Sequence, residues 1–108
     1  MSEIMNVTVG DLGQDAVILD VRDDYEWEAG HIEGALHIPL EQLPERLDDL
    51  DPDTDVNVIC RTGGRSFRAT TWLTENGYTA FNVAGGMGAW FEADKPMIAE
   101  NGQTPRVL

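Results

Sequence analysis

The sequence predicts an α/β fold, and two observations carry that prediction. Short apolar segments alternate along the chain with segments of helical character, and the run Val17-Ile18-Leu19-Asp20-Val21 is apolar without a period-two alternation. Alternating elements are what helices layered on a mainly parallel sheet produce, and a run lacking alternation suits a strand buried on both faces. No internal repeat or low-complexity stretch interrupts the pattern, and 108 residues is the length of one domain.

Taken in order, Asn6-Val7-Thr8 reads as a short first strand, followed by a helical turn around Asp11-Leu12. Val17 to Val21 is the central parallel strand. Asp24 to Ala29 forms a short helix, begun by an Asp cap and closed by Gly30. Leu36-His37-Ile38 is a brief strand ending at Pro39. Leu40, Leu43, Leu47 and Leu50 lie three or four residues apart with acidic residues between them, an amphipathic helical pattern that Pro44 can break. Asp51-Pro52-Asp53 is a turn. Val56 to Cys60 is the next strand, and Ser66 to Asn76 is helical with Gly77 as its stop. Ala80 to Val83 is the last strand and Met87 to Glu92 the last helix. After Lys95-Pro96 the periodicity fades, so 97–108 is expected to be a tail packed loosely on the surface.

Composition bounds the function. Twenty acidic residues against seven basic ones give a formal charge of −13, and Lys95 is the one lysine. Such a surface repels polyanions, so nucleic acid is not an expected partner. Acidic composition with almost no lysine fits a halophilic protein, whose charge keeps it soluble while salt screens the repulsion. No apolar run approaches the roughly 18 residues of a membrane span, and Met1-Ser2-Glu3-Ile4 lacks the flank and apolar stretch of a signal peptide. A cytoplasmic location without a membrane partner is expected. Cys60 is the single cysteine, which excludes an internal disulfide and Cys-x-x-Cys dithiol chemistry. No metal and no cofactor are expected.

Cys60 ends a predicted parallel strand and is followed by Arg61-Thr62-Gly63-Gly64-Arg65 and then by a helix, the position at which open α/β sheets bind ligands. In such a turn successive backbone N–H groups converge on one point, and the helix start adds partial positive charge. Gly63 and Gly64 suit the tight backbone, while Arg61 and Arg65 add full charges nearby. A thiol in this cradle has a lowered pKa and is a ready nucleophile. An isolated Cys at a strand end is more often a small buried hydrophobe. Two glycines, two arginines and an immediate helix start tip the balance to chemistry. Arg68, one turn further on, reads equally as a solvated charge or a substrate contact.

Three separated motifs resemble the rhodanese-like domain family over about Val7 to Pro96. The first is Leu19-Asp20-Val21-Arg22, then Glu26-Trp27, then Gly30-His31-Ile32-Glu33-Gly34-Ala35 leading to Ile38-Pro39; the second is Cys60 to Arg65 with Ser66 opening the helix; the third is Gly85-Gly86-Met87-Gly88-Ala89-Trp90. The resemblance implies a single domain with its core at about 7–96 and a small, five-stranded, mainly parallel sheet with helices on both faces. It also implies a sulfurtransferase of the thiosulfate type, with Cys60 as nucleophile and Arg61, Thr62, Gly63, Gly64 and Arg65 as its persulfide-binding loop. Its partners would be a small anionic sulfur donor and a thiol or cyanide acceptor, or a sulfur-relay protein. Four residues separate Cys60 from Arg65, as in the family's sulfurtransferases, whereas related phosphatases and arsenate reductases have one more. A sulfur-carrier or binding module with little free turnover is the alternative, ahead of an arsenate reductase or phosphatase.

Supporting roles attach to the first motif. Asp20, on the sheet edge shared with Cys60, is placed to brace the loop or orient an arginine. Arg22 and Glu26 read as a local ion pair, and His31 as a structural histidine, since a pre-formed thiolate needs no general base. Gly85-Gly86 lets the chain turn close to the sheet, and Trp90 fills the core.

The acidic surface predicts that the melting temperature rises between dilute buffer and molar KCl. A melting temperature independent of salt over that range would remove the halophilic reading.

Overall fold

The computed structural model describes residues 5–108 and places five strands in one sheet, all neighbours parallel, in the order β1-β5-β4-β2-β3. The strands are β1 (Asn6–Val7), β2 (Ile18–Asp20), β3 (Leu36–His37), β4 (Val56–Ile59) and β5 (Ala80–Val83). The helices are α1 (Asp24–Ala29), α2 (Gly64–Glu75) and α3 (Gly86–Glu92). Both faces of the sheet are apolar because successive side chains alternate between them. Leu19, Val21, Val56, Val58, Cys60 and Ala80 pack with Ala69 and Leu73 of α2. Ile18, Ile59 and Val83 pack on the other face with Met87 and Trp90 of α3. Helices therefore cover both faces, as the resemblance implies.

Two segments depart from expectation. The leucine pattern from Leu40 to Leu50 is interrupted around Pro44, as the sequence allows, but its two parts, Leu40–Gln42 and Leu47–Asp49, are 3-10 turns in place of an amphipathic α-helix. Pro44 has no N–H to continue a helical ladder. The leucines still serve the core: Leu43 and Leu50 are buried and Leu40 and Leu47 pack against them. The segment after Pro96 has no regular element, yet it is fastened rather than loose. Ile98 exchanges two backbone hydrogen bonds with His31, at 2.8 and 2.9 Å. Further along, Glu100 N–H donates to Glu28 O and Arg106 N–H to Ala29 O. A Cβ at Gly30 would lie 2.5 Å from the Arg106 carbonyl oxygen, so it is this close crossing that requires glycine.

At the carboxyl end of β2 a buried ion pair ties sheet to helix. Arg22, with 0% of its surface exposed, donates from Nε and Nη2 to the two Asp20 carboxylate oxygens at 3.0 and 2.8 Å. Its Nη2 also donates to Gly30 O at 2.8 Å and its Nη1 to Glu26 O at 3.4 Å. These are carbonyls at the end of α1, where a helix leaves acceptors without partners of its own.

Removing one partner of a buried pair strands the other's charge. Arg22→Ala is therefore expected to lower unfolding free energy by about 3–5 kcal/mol in urea titrations. Arg46→Ala, which opens the solvent-exposed Arg46–Asp49 pair, is expected to cost less than about 1 kcal/mol. Equal losses would show that the buried pair has no special role.

Candidate active site

Cys60 follows directly on β4, its side chain directed at the α2 face and 1% exposed. The chain then turns through Arg61 and Thr62 to Gly63, which caps α2 with φ of +123°, a backbone angle that a side chain would strain. The helix starts at Gly64, two residues before the start read from the sequence. This brings Ser66 into its first turn.

The peptide groups of the turn are aimed from behind. Met87 N–H donates to Cys60 O at 2.8 Å and Gly88 N–H to Arg61 O at 3.0 Å, so both carbonyls point at the start of α3. In a trans peptide the N–H points opposite to the C=O. The N–H groups of Arg61 and Thr62 are thereby turned away from α3, toward the inside of the loop. Gly86, with φ of +56°, makes the approach possible, since a Cβ there would collide with the Cys60 carbonyl oxygen.

On the inner side Gly63 N–H donates to Cys60 Sγ at 3.1 Å, and Ser66 Oγ lies 3.3 Å from the sulfur. Burial pushes the thiol pKa up. The Ser66 hydroxyl and the backbone N–H groups of Ser66, Gly63 and Thr62 outweigh it and hold the thiol below its ordinary range. Ser66 in turn donates to Asn82 Oδ1 at 2.6 Å, and Asn82 Nδ2 donates to Asn6 Oδ1 at 2.9 Å.

The two loop arginines do not stand free beside the sulfur. Arg65 makes a two-pronged pair with Glu26 of α1, Nη1 to Oε1 at 2.6 Å and Nη2 to Oε2 at 2.9 Å. Burial alone would raise the Glu26 pKa, but the Arg65 hydrogen bond and the Asp23 N–H reverse the sign and hold it low. Glu26 is thus the partner of Arg65, not of Arg22 as its position four residues on suggested. Arg22 pairs instead with Asp20. Arg61 turns back over α3, where its Nη1 would lie 2.8 Å from a Cβ at Gly88. Arg68 lines a cavity of about 490 Å³ between α2 and the 40–44 segment, with Leu40, Glu41 and Trp72.

Asp20 sits level with Ile59 in the sheet, on the expected edge, and its carboxylate orients Arg22 rather than the loop. His31 is buried with Nδ1 2.7 Å from Trp27 O, its ring stacked 3.6 Å from the Trp27 ring, which also stacks with His37 at 4.6 Å. Trp90 is buried as expected, its Nε1 donating to Pro96 O. The sequence reading missed Ser66 as a partner of the sulfur and Asn82 as the partner of Ser66. The available signal was Asn82 itself, a polar residue inside a strand otherwise built to be buried.

The family model of the rhodanese-like domain matches residues 9–93. A Bacillus subtilis protein provisionally named a sulfurtransferase is 40% identical over 83 residues, which are 77% of this chain and 81% of the relative. A protein of Allochromatium vinosum named sulfurtransferase is 34% identical over 90 residues, 82% of this chain and 84% of its own. Among solved structures, a rhodanese-related protein from Thermoplasma volcanium superposes with a TM-score of 0.82 at 31% identity, over 87% of this chain and 97% of that one.

The rate of Cys60 alkylation by iodoacetamide is expected to reach half its plateau below the pH of about 8.5 at which a free cysteine does so. Ser66→Ala removes a hydrogen bond to the anion and should raise that midpoint by about one pH unit. An unchanged midpoint would take the hydroxyl out of the account.

Proposed function

The chain belongs to the rhodanese-like domain family, and from that premise we propose that it is a sulfurtransferase in which Cys60 carries the transferred sulfur as a persulfide. The observation that supports this most directly is the environment of Sγ: backbone N–H donors and the Ser66 hydroxyl gathered on a buried sulfur whose pKa is lowered against its own burial.

With thiosulfate as donor the Cys60 thiolate attacks the sulfane sulfur. A new S–S bond forms, the old one breaks, and sulfite departs with the electron pair. The outer sulfur of the persulfide keeps a negative charge that the loop N–H groups can hold. An acceptor thiolate or cyanide then attacks that outer sulfur, and Cys60 leaves as the thiolate it was at the start. Neither step needs a second cysteine or a general base, which agrees with the engagement of His31 at Trp27. The short loop supports sulfur over phosphate, because a ring closed after four intervening residues suits one sulfur better than a tetrahedral oxyanion. A thiol that must stay free between turnovers also suits a reducing compartment such as the cytoplasm.

The near-complete burial of Cys60 favours a second reading, a carrier loaded by a partner protein that opens or completes the site.

Intact-protein mass spectrometry separates these. After thiosulfate the wild type should gain one sulfur atom and lose it to cyanide, while Cys60→Ala gains none and turns over no substrate. Loading by a protein persulfide much faster than by thiosulfate would favour the carrier. A mass that stays unchanged with every donor would end the sulfurtransferase reading.

A further inference from the structure

Behind the sulfur runs a line of polar side chains, Cys60 to Ser66 to Asn82 to Asn6, buried as far as Asn82. Asn82, 5% exposed, pairs in the sheet with Val58, two residues before Cys60, so both side chains emerge on the α2 face. Asn6 ends the line on the exposed edge strand β1.

A serine hydroxyl has one proton to give. With that proton on Asn82 Oδ1, Ser66 offers the sulfur only lone pairs. It can then accept from a Cys60 thiol but cannot donate to a thiolate. Once Cys60 is anionic, a hydrogen bond to the charged sulfur is the stronger one, and the proton belongs there. Ser66 Oγ and Asn82 Oδ1, now 2.6 Å apart, would then face each other acceptor to acceptor. A half-turn of the Asn82 carboxamide removes the conflict by presenting Nδ2 to Ser66. Its oxygen then faces Asn6, whose exposed amide is free to turn in the same way. A carboxamide carries a donor and an acceptor on one planar group and so serves both polarities, which neither a carboxylate nor an alkyl group of that size does.

We propose that Asn82 is a positioning residue for the sulfur chemistry: its carboxamide reverses with the charge state of Cys60, leaving the Ser66 hydroxyl free to serve the anionic sulfur. Asn82 acts through Ser66 and touches no substrate. Its functional meaning rests on the sulfurtransferase reading, but the reversal itself requires only that Cys60 ionise. The charged groups around the sulfur are Arg65 on α2 with Glu26 on α1, Arg61 in the loop against α3, and the Asp20–Arg22 pair at the end of β2. None of them hydrogen-bonds to the Asn82 side chain, so Cys60 is the titrating group at the end of this line.

Two measurements test it. In ¹⁵N-labelled wild type, the Asn82 side-chain amide signals should titrate with the midpoint found for Cys60 alkylation, and that transition should vanish in Cys60→Ala. Asn82→Asp, nearly isosteric but acceptor-only when ionised, should hold the Ser66 proton and raise the Cys60 midpoint by about one pH unit. In a Ser66→Ala background the same substitution should shift it distinctly less, because only the added charge remains. Equal shifts in both backgrounds would assign the effect to charge alone and overturn the proposal. Asn82 signals that ignore the Cys60 midpoint would overturn it too, whether or not the Asp variant folds. Amide signals that follow Cys60 in a protein that accepts sulfur from no donor would instead sink the sulfurtransferase reading and leave the reversal standing.

Discussion

The Asp20–Arg22 pair is the tie on which the site's geometry depends. Arg22 reaches from the end of β2 to the closing carbonyls of α1 and so fixes where that short helix sits against the sheet. From α1, Glu26 reaches across to Arg65 and fixes the far end of the Cys60 loop. Charge alternates along this path, acid to base to acid to base, and each member except Arg65 is buried. Pairs of this kind recover little net energy once desolvation is counted. What they supply is direction, since a two-pronged guanidinium–carboxylate contact tolerates one orientation where an apolar contact tolerates many.

One result is that the N–H hydrogen bonds to the sulfur come from peptide groups, Arg65 acting on it through charge alone. The arginines that flank the glycines are engaged elsewhere, Arg65 with Glu26 and Arg61 along α3, so the polar groups that reach Sγ are backbone N–H groups and the Ser66 hydroxyl. The start of α3 orients that backbone by holding the outward carbonyls, and Gly86 is the residue that lets it come close enough. The third motif therefore serves the same centre as the second.

Much of the sheet is legible in the sequence, because strands buried on both faces leave apolar runs such as Val17 to Val21 that few other structures tolerate. The loop is legible for a similar reason: a thiol followed by two glycines and a helix start has few bland explanations. Pairing is where local spacing misleads. Arg22 and Glu26 stand four apart and invite a local ion pair, yet Glu26 finds Arg65, 39 residues away, because the third dimension and not the helix period sets which charges meet in the interior. The leucines from Leu40 to Leu50 read as a helix because burial of one face has the same signature in two 3-10 turns. The fastening of 97–108 leaves no periodic trace, since it consists of isolated hydrogen bonds to the end of α1 and to His31 just beyond it, with Met97 and Val107 packed singly against the core.

The strand order has a consequence for how the nucleophile comes into being. All neighbours are parallel, so no hairpin can form early, and β1 meets its one partner only when Asn82 and Val83 arrive opposite Asn6 and Val7. Topologies built from such distant contacts fold slowly. Until β4, α2 and the start of α3 are assembled, Gly63, Ser66 and Met87 cannot act on Cys60, and its sulfur is an ordinary, mostly protonated thiol. Reactivity is thus acquired with the native state itself, and an incompletely folded chain carries no prematurely activated sulfur.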